Sequence, residues 1–208
     1  VHFIDHSGKQ IHNRKFARKR GYDRYVYHGN YAAIPVNDKY GLIDKNGKWA
    51  VLPEHEDIHI GARNMWYAMD NNKWGVIGID GQFVIPIEYE NVWIHTDNGI
   101  TIAKADHSQS RYDYAGTLID AFVFDEVYQL AYYINEFDKE GNQKQAVDNN
   151  MLKYSANSFY GLMTKTGIPV TPPLYSDIEA VTPGVYQCHI PETYECIMVN
   201  AKGEKIND

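Results

Sequence analysis

A chain of 208 residues, 44% hydrophobic and 23% charged, is long enough to bury a real core and has the composition of a globular protein, which excludes a disordered segment. No apolar run approaches the length of a membrane-spanning helix. The net charge of −7 argues against a general nucleic-acid binder.

The chain opens on a short apolar run, Phe3-Ile4, followed by a turn at Gly8. Next comes a basic stretch: Arg14, Lys15, Arg18, Lys19, Arg20 and Arg24 face only Asp23, giving +5 there and leaving −12 for the rest. It reads as a solvated loop, as a short helix over Phe16-Ala17-Arg18-Lys19, or as a docking element for an acidic partner, because charge clusters steer association.

From residue 39 the chain repeats a phrase. Lys39-Tyr40-Gly41-Leu42-Ile43-Asp44-Lys45-Asn46-Gly47 returns around Trp74-Gly75 and again around Tyr160-Gly161. The turn glycines Gly8, Gly47, Gly81, Gly116, Gly167 and Gly203 lie 39, 34, 35, 51 and 36 residues apart. Apolar runs flank each of the clear copies, and two strand-like runs joined by Asn-Gly or Asp-Gly are a strong hairpin signal. The phrase is therefore expected to form the first hairpin of each unit, with Pro53, Pro86 and Pro172 ending its second strand. Further on come an aromatic (Tyr89, Tyr175) and an aliphatic residue (Val92, Ile178), a turn, and another strand.

His55-Glu56-Asp57-Ile58-His59 has the letters of the His-Glu-x-x-His zinc motif, which needs both histidines one turn apart on a helix. Pro53 and the repeat register place the segment on strands instead, so no metal site is expected. The remaining histidines show no ligand spacing, and no phosphate loop or nucleophile elbow is present. No catalytic residue and no cofactor are expected. Trp66 and Trp93 fall in less constrained slots, as core residues or as exposed platforms for a partner.

The fourth copy, Arg111-Tyr112-Asp113-Tyr114-Ala115-Gly116, has lost the aromatic-Gly pair and the proline, and a polar segment, Asn135 to Lys144, fills its long interval. That segment reads as an inserted hairpin or loop, and insertions in repeat arrays gather on the working face. Cys188 and Cys196 flank a turn and are expected to be ordinary free thiols in a reducing cytoplasm, with pairing across the hairpin left open. No secretory signal is visible, so a cytoplasmic location is expected, an upstream export signal being left open.

Together these readings predict one all-β domain over 1–208, with units of approximately 1–38, 39–72, 73–108, 109–158 and 159–192 and a terminal half-unit at 193–208. Each unit is a four-stranded antiparallel meander. An open twisted array is favoured, because a first hairpin is left over from five whole units; a five-bladed propeller-like ring is the other possibility. Tyr40, Gly41, Gly47, Trp74, Gly75, Gly81, Pro86, Tyr89, Tyr160, Gly161, Gly167 and Tyr175 are the expected structural positions.

At the aromatic-Gly pair, the Asp/Asn-Gly turn and the Pro…Tyr-(Asp/Glu)-x-(Val/Ile) tail, the chain resembles the bacterial WG-repeat family. The best copy is Lys73-Trp74-Gly75-Val76-Ile77 with Asp80-Gly81, Val84-Ile85-Pro86 and Tyr89-Glu90-Asn91-Val92. The resemblance implies a β-rich, non-catalytic interaction module, similar in some cases to immunity proteins that neutralise bacterial toxins, and it brings no catalytic residues. The expected function is thus a protein-binding module whose partner is another protein, such as a cognate toxin, with Arg14, Lys15, Arg18, Lys19, Arg20, Arg24, Trp66 and Trp93 as candidate contacts. A structural or cell-envelope role and a carbohydrate-binding module are the other readings.

Overall fold

The structure is a computed structural model, and it describes residues 2–5, 7–17 and 25–206. The chain is all-β. The first meander is β1 (Tyr31–Val36), β2 (Lys39–Asp44) and β3 (Trp49–His55). The second is β4 (Asp57–Ile60), β5 (Trp66–Asp70), β6 (Lys73–Ile77) and β7 (Phe83–Tyr89). The third is β8 (Asn91–Ile94), β9 (Ile100–Ala103), β10 (Gln109–Tyr112) and β11 (Leu118–Val123). The fourth is β12 (Glu126–Phe137), β13 (Gln143–Ala156) and β14 (Phe159–Thr164), and the fifth β15 (Asp177–Thr182), β16 (Val185–His189) and β17 (Cys196–Asn200). These are open antiparallel meanders, and no sheet closes into a barrel.

Two kinds of turn alternate. Asn37-Asp38, Asn71-Asn72 and Asn157-Ser158 have φ of 49 and 65, 50 and 59, and 51 and 69°, the double left-handed pair of a two-residue hairpin turn. The phrase turn is longer. Its organiser is the residue three before the glycine: Asp44 Oδ1 accepts from the N–H groups of Asn46 (2.9 Å) and Lys48 (2.8 Å). Asp113 accepts likewise from Ala115 and Thr117, and Asn200 from Lys202 and Glu204. Gly47, Gly116 and Gly203 then take φ of 78, 84 and 77°, where a Cβ is costly. At these three turns the Asp- or Asn-x-x-Gly spacing closes the hairpin. At Gly167 Thr164 stands in that place, and at Gly81 the position is Gly78 and Asp80 Oδ1 accepts from Gln82 N instead.

The repeat is preserved down to the ladder. Tyr40↔His55, Leu42↔Val51 and Ile43↔Trp49 correspond to Trp74↔Tyr89, Val76↔Ile85 and Ile77↔Phe83. In the fourth meander the same pairing survives as two isolated bridges, Tyr160↔Tyr175 and Met163↔Pro169. Among the described residues only two meanders reach the expected four strands. In the fourth, Pro169, Pro172 and Pro173 remove the donors a continuous last strand needs, and in the fifth only the bridge Val199↔Lys205 follows β17.

The phrase does not open each sheet. It forms the last two strands, and the chain changes sheets at one residue, Glu56 between β3 and β4 and Glu90 between β7 and β8. Lys39 pairs with Glu56 at 3.7 Å and Lys73 with Glu90, so the lysine that opens the phrase meets the carboxylate at the switch. Both pairs are wet and each contributes about 0–1 kcal/mol, so they guide the bend more than they stabilise it. Pro53 and Pro86 do not end their strands. They sit within β3 and β7, in the irregular stretches of the ladder opposite Gly41 and Gly75. There the bulged chain lies on the glycine: a methyl at Gly41 would stand 2.6 Å from the Val51 carbonyl oxygen.

The described residues fall into two compact units, one made of those up to 102 with 111–120, the other of 103–110 with 121 onward. In the first, Trp66, Ala68 and Ile77 pack with Ala33, Tyr40, Leu42 and Ile58, while Val76, Ile85, Val92, Ile100 and Ile102 form a second cluster. In the other unit the main cluster is Leu130, Met151, Leu162, Tyr175, Ile178, Tyr186, Cys188 and Val199.

Candidate interaction surface

The polar insertion of the fourth copy is a hairpin. β12 and β13 run far past the strand they share with β14, and their tip is Asp138-Lys139-Glu140-Gly141, another copy of the phrase turn. Asp138 accepts from Glu140 N (2.9 Å) and Asn142 N (2.8 Å), and Gly141 has φ 86°. The Asn142 side chain, foremost, holds the Asp138 carboxyl below its ordinary pKa.

At the root of this arm the ladder slips. Gln129 pairs with Leu152 but Ala131 pairs with Val147, so β13 carries a bulge over residues 148–151. Asp148, only 2% exposed, organises it. Its carboxylate accepts from Asn150 N (2.8 Å), Met151 N (3.2 Å) and the Tyr186 hydroxyl (2.6 Å), and its carbonyl accepts from Gln129 Nε2. A buried carboxylate with three donors is well satisfied, which is the condition for tolerating it there.

Beyond the root, alternation assigns the two faces of the arm. One carries Ala131, Tyr133 and, past a second register shift, Phe137, opposite Val147, Gln145 and Gln143. Tyr133 is 63% exposed, Phe137 59% and Val147 48%, and no residue of this face is charged. The other face carries the Lys144–Glu136 ion pair at 3.1 Å. A charge-free aromatic strip is how the centre of a protein interface differs from ordinary surface.

Of the residues expected to touch a partner, Arg14, Lys15, Trp66 and Trp93 are described. Trp66 is 2% exposed and serves the core, because it faces inward in the second meander against Ala33 and Ile58, so a partner cannot reach it. Trp93 is half-buried in β8. Arg14 and Lys15 are exposed, and the Arg14 guanidinium lies 5.6 Å from the Trp49 ring centre. Residues 13–17 are irregular rather than helical. Arg18, Lys19, Arg20 and Arg24 lie outside the described residues. The sequence marks the segment from Asn135 to Lys144, Phe137 included, but not Tyr133 and Val147, which lie on the strands outside it.

The histidines of the zinc-like motif are separated by the sheet switch. His55 Nδ1 meets Asp70 Oδ2 at 2.5 Å, and His59 Nδ1 meets Asp57 Oδ2 at 3.0 Å. Among the described residues no group of three ligating side chains converges. No helix of the described residues is long and apolar enough to cross a membrane. Cys188 and Cys196 are both free, the first buried and the second exposed.

The family model described as the WG containing repeat matches residues 40–59 and 74–106, the stretches that hold Tyr40-Gly41 and Trp74-Gly75, their bulged proline strands and the switch residues Glu56 and Glu90. No curated protein matches the chain. The WG-repeat family is not a known family of enzymes. The match and the shared ladder register identify WG repeats over these residues, and there the chain is similar to the WG-repeat family.

Proposed function

We propose that the chain is a non-enzymatic protein-binding module whose working surface is the uncharged face of the β12–β13 arm. The observation that carries this is the row Tyr133, Phe137 and Val147, exposed on a hairpin rooted by a buried carboxylate. Tyr and Phe give large contact area at a small entropic cost, and a rigid root lowers the cost of binding further. The finer reading is an immunity protein that covers a toxin's active site. The net charge of −7 supports a cationic partner, such as a nucleic-acid-cleaving toxin, by attraction around a neutral contact strip.

Co-expression with a toxin encoded beside the chain tests this: the native chain should restore growth, and Tyr133→Asp with Phe137→Asp should lose both rescue and co-purification while keeping the native circular dichroism. Full rescue by the double variant would overturn the arm as the surface. Saturable binding to a glycan array with no protein complex would replace the reading altogether.

A further inference from the structure

A second surface lies in the first compact unit, where loops from successive meanders meet. The β4–β5 connection runs Gly61-Ala62-Arg63-Asn64-Met65, closed by Gly61 N to Met65 O (2.8 Å) and Met65 N to Ala62 O (3.1 Å). Within it Arg63 and Asn64 take φ of 58 and 59° in succession, the same double left-handed pair as at Asn37-Asp38, Asn71-Asn72 and Asn157-Ser158. The turn places the Arg63 guanidinium 4.4 Å from the centre of the Tyr114 ring.

Both members of that stack are held. Tyr114 donates its hydroxyl to the His95 carbonyl (3.0 Å) and accepts from Gly99 N (3.1 Å), so the ring cannot swing away. Arg63 Nη1 donates to the Thr96 carbonyl (3.0 Å). No carboxylate pairs with Arg63 among the described residues. Its other N–H groups make no protein hydrogen bond there. A cavity of about 370 Å³ opens at this stack, lined by Arg63, Tyr114, the buried Met65 and the exposed Ile79. Tyr114 belongs to the rewritten fourth copy, and it fills the turn position that Lys45 and Lys165 occupy in other copies. The departure from the repeat and the β4–β5 turn therefore converge on one place.

We propose that this cavity binds a carboxylate borne on an apolar stem. The guanidinium fork matches a carboxylate in two parallel hydrogen bonds. Met65, Ile79 and the Tyr114 ring give the stem an apolar wall, and the volume is that of a small-ligand site. A single fixed cation, with no cluster of further cations in the lining, suits a monoanion better than a phosphate. Two sources share this chemistry: a free organic acid, and the C-terminal carboxylate of a peptide ending in an apolar residue.

The test is titration of the full chain, followed by NMR, with 3-phenylpropionate, 3-phenyl-1-propanol, inorganic phosphate, and a short peptide ending in Phe as its free acid and as its amide. Saturable shifts at Arg63, Ile79 and Tyr114 are expected for phenylpropionate, about tenfold weaker for the alcohol. Arg63→Gln should weaken phenylpropionate about tenfold and Arg63→Lys less, with spectra otherwise native. The free-acid peptide binding more tightly than phenylpropionate identifies a chain terminus as the source; equal or weaker binding identifies a free acid. Equal binding of acid and alcohol, undiminished binding by Arg63→Gln, tighter binding of phosphate, or no saturable shift overturns the site.

Discussion

The Tyr186 hydroxyl of β16 donates a 2.6 Å hydrogen bond to Asp148, the carboxylate at the bulged root of the β12–β13 arm. Burial, and after it this bond, raises the tyrosine pKa. The pair thus anchors the inserted arm to the neighbouring meander of its compact unit. Tyr186→Phe removes one of three donors from a buried carboxylate and should cost about 1–3 kcal/mol. It should also speed amide exchange at 143–150 more than in β14. Uniform exchange changes, or an unchanged urea midpoint, would show that the arm is held by something else.

What the sequence revealed, and what it hid, follows from which interactions repeat. Tyr40↔His55, Trp74↔Tyr89 and Tyr160↔Tyr175 keep one register because turn length fixes pairing, so the spacing of Gly47, Gly81 and Gly167 was enough to read it. The place where the chain changes sheets was hidden: Glu56 and Glu90 lie inside continuous extended segments with no turn residue to mark them. Proline was misleading for a related reason, since Pro53 and Pro86 occupy bulges where no ladder donor is needed. Exposure of Trp66 could not be judged, because its neighbours Ala33 and Ile58 come from elements that only the fold brings together. The Arg63–Tyr114 stack joins residues on different turns and leaves no pattern in sequence at all.

Gly75 is fixed by the chain above it. A methyl there would stand 2.7 Å from the Ile85 carbonyl oxygen and 2.8 Å from Ile87 N, both backbone atoms that cannot yield without breaking the Trp74↔Tyr89 and Val76↔Ile85 pairs. Gly75→Ala should therefore destabilise by about 1–3 kcal/mol through overpacking. Gly167, with φ 85° and nothing within 4 Å, should lose only about 1–2 kcal/mol from the left-handed conformation. Urea unfolding of the two variants should rank Gly75→Ala as the more damaged, and the reverse order would refute the bulge-on-glycine account.

The phrase turns make the fold sensitive to acid. The Thr117 N–H, first among its donors, holds the Asp113 carboxyl below its ordinary pKa, and the Asn142 side chain does the same at Asp138. A carboxylate lowered in the folded state stabilises it above the unfolded value of about 3.9, and that stabilisation disappears as pH falls below this toward the folded value. Asn200 makes the same two backbone bonds without charge. Asp113→Asn with Asp138→Asn should accordingly keep the backbone bonds, lose the charge-dependent part of the stability at pH 7, and flatten its decline below about pH 4. A decline as steep as in the native chain would assign the acid limb to other groups.

Tyrosine sets the alkaline limit. Burial, then the Asp44 charge, pushes Tyr27 up to about 12, and burial raises Tyr89, Tyr154, Tyr175 and Tyr186 as well. The unfolded chain ionises its tyrosines near pH 10, so these groups favour the fold fully below about 10, and their contribution is lost as pH rises through their raised values, about 12 for Tyr27. Tyrosinate absorbance at these sites should therefore appear together with loss of the β-sheet circular dichroism. All 17 tyrosines titrating near pH 10 in an intact fold would contradict the burial assigned to them.

Cys188 and Cys196 should behave as two unrelated thiols. In the β16–β17 ladder Cys188 lies opposite Ile197 and Cys196 opposite His189, and successive residues on a strand face opposite sides of the sheet. The two sulfurs therefore lie on different faces, and a disulfide would require the register to slip by one residue, which would expose the buried Tyr186 and Val199. Burial, and then Cys196, pushes the Cys188 thiol up to about 12, so it stays protonated and unreactive in the folded chain. Cys196 is exposed, with His189 Nδ1 3.4 Å from its sulfur. One thiol should react with a thiol reagent in native protein and two in urea, and Cys196→Ser should abolish the native reaction. A native chain with no reactive thiol, recovering two after reduction and unfolding, would instead require the slipped register.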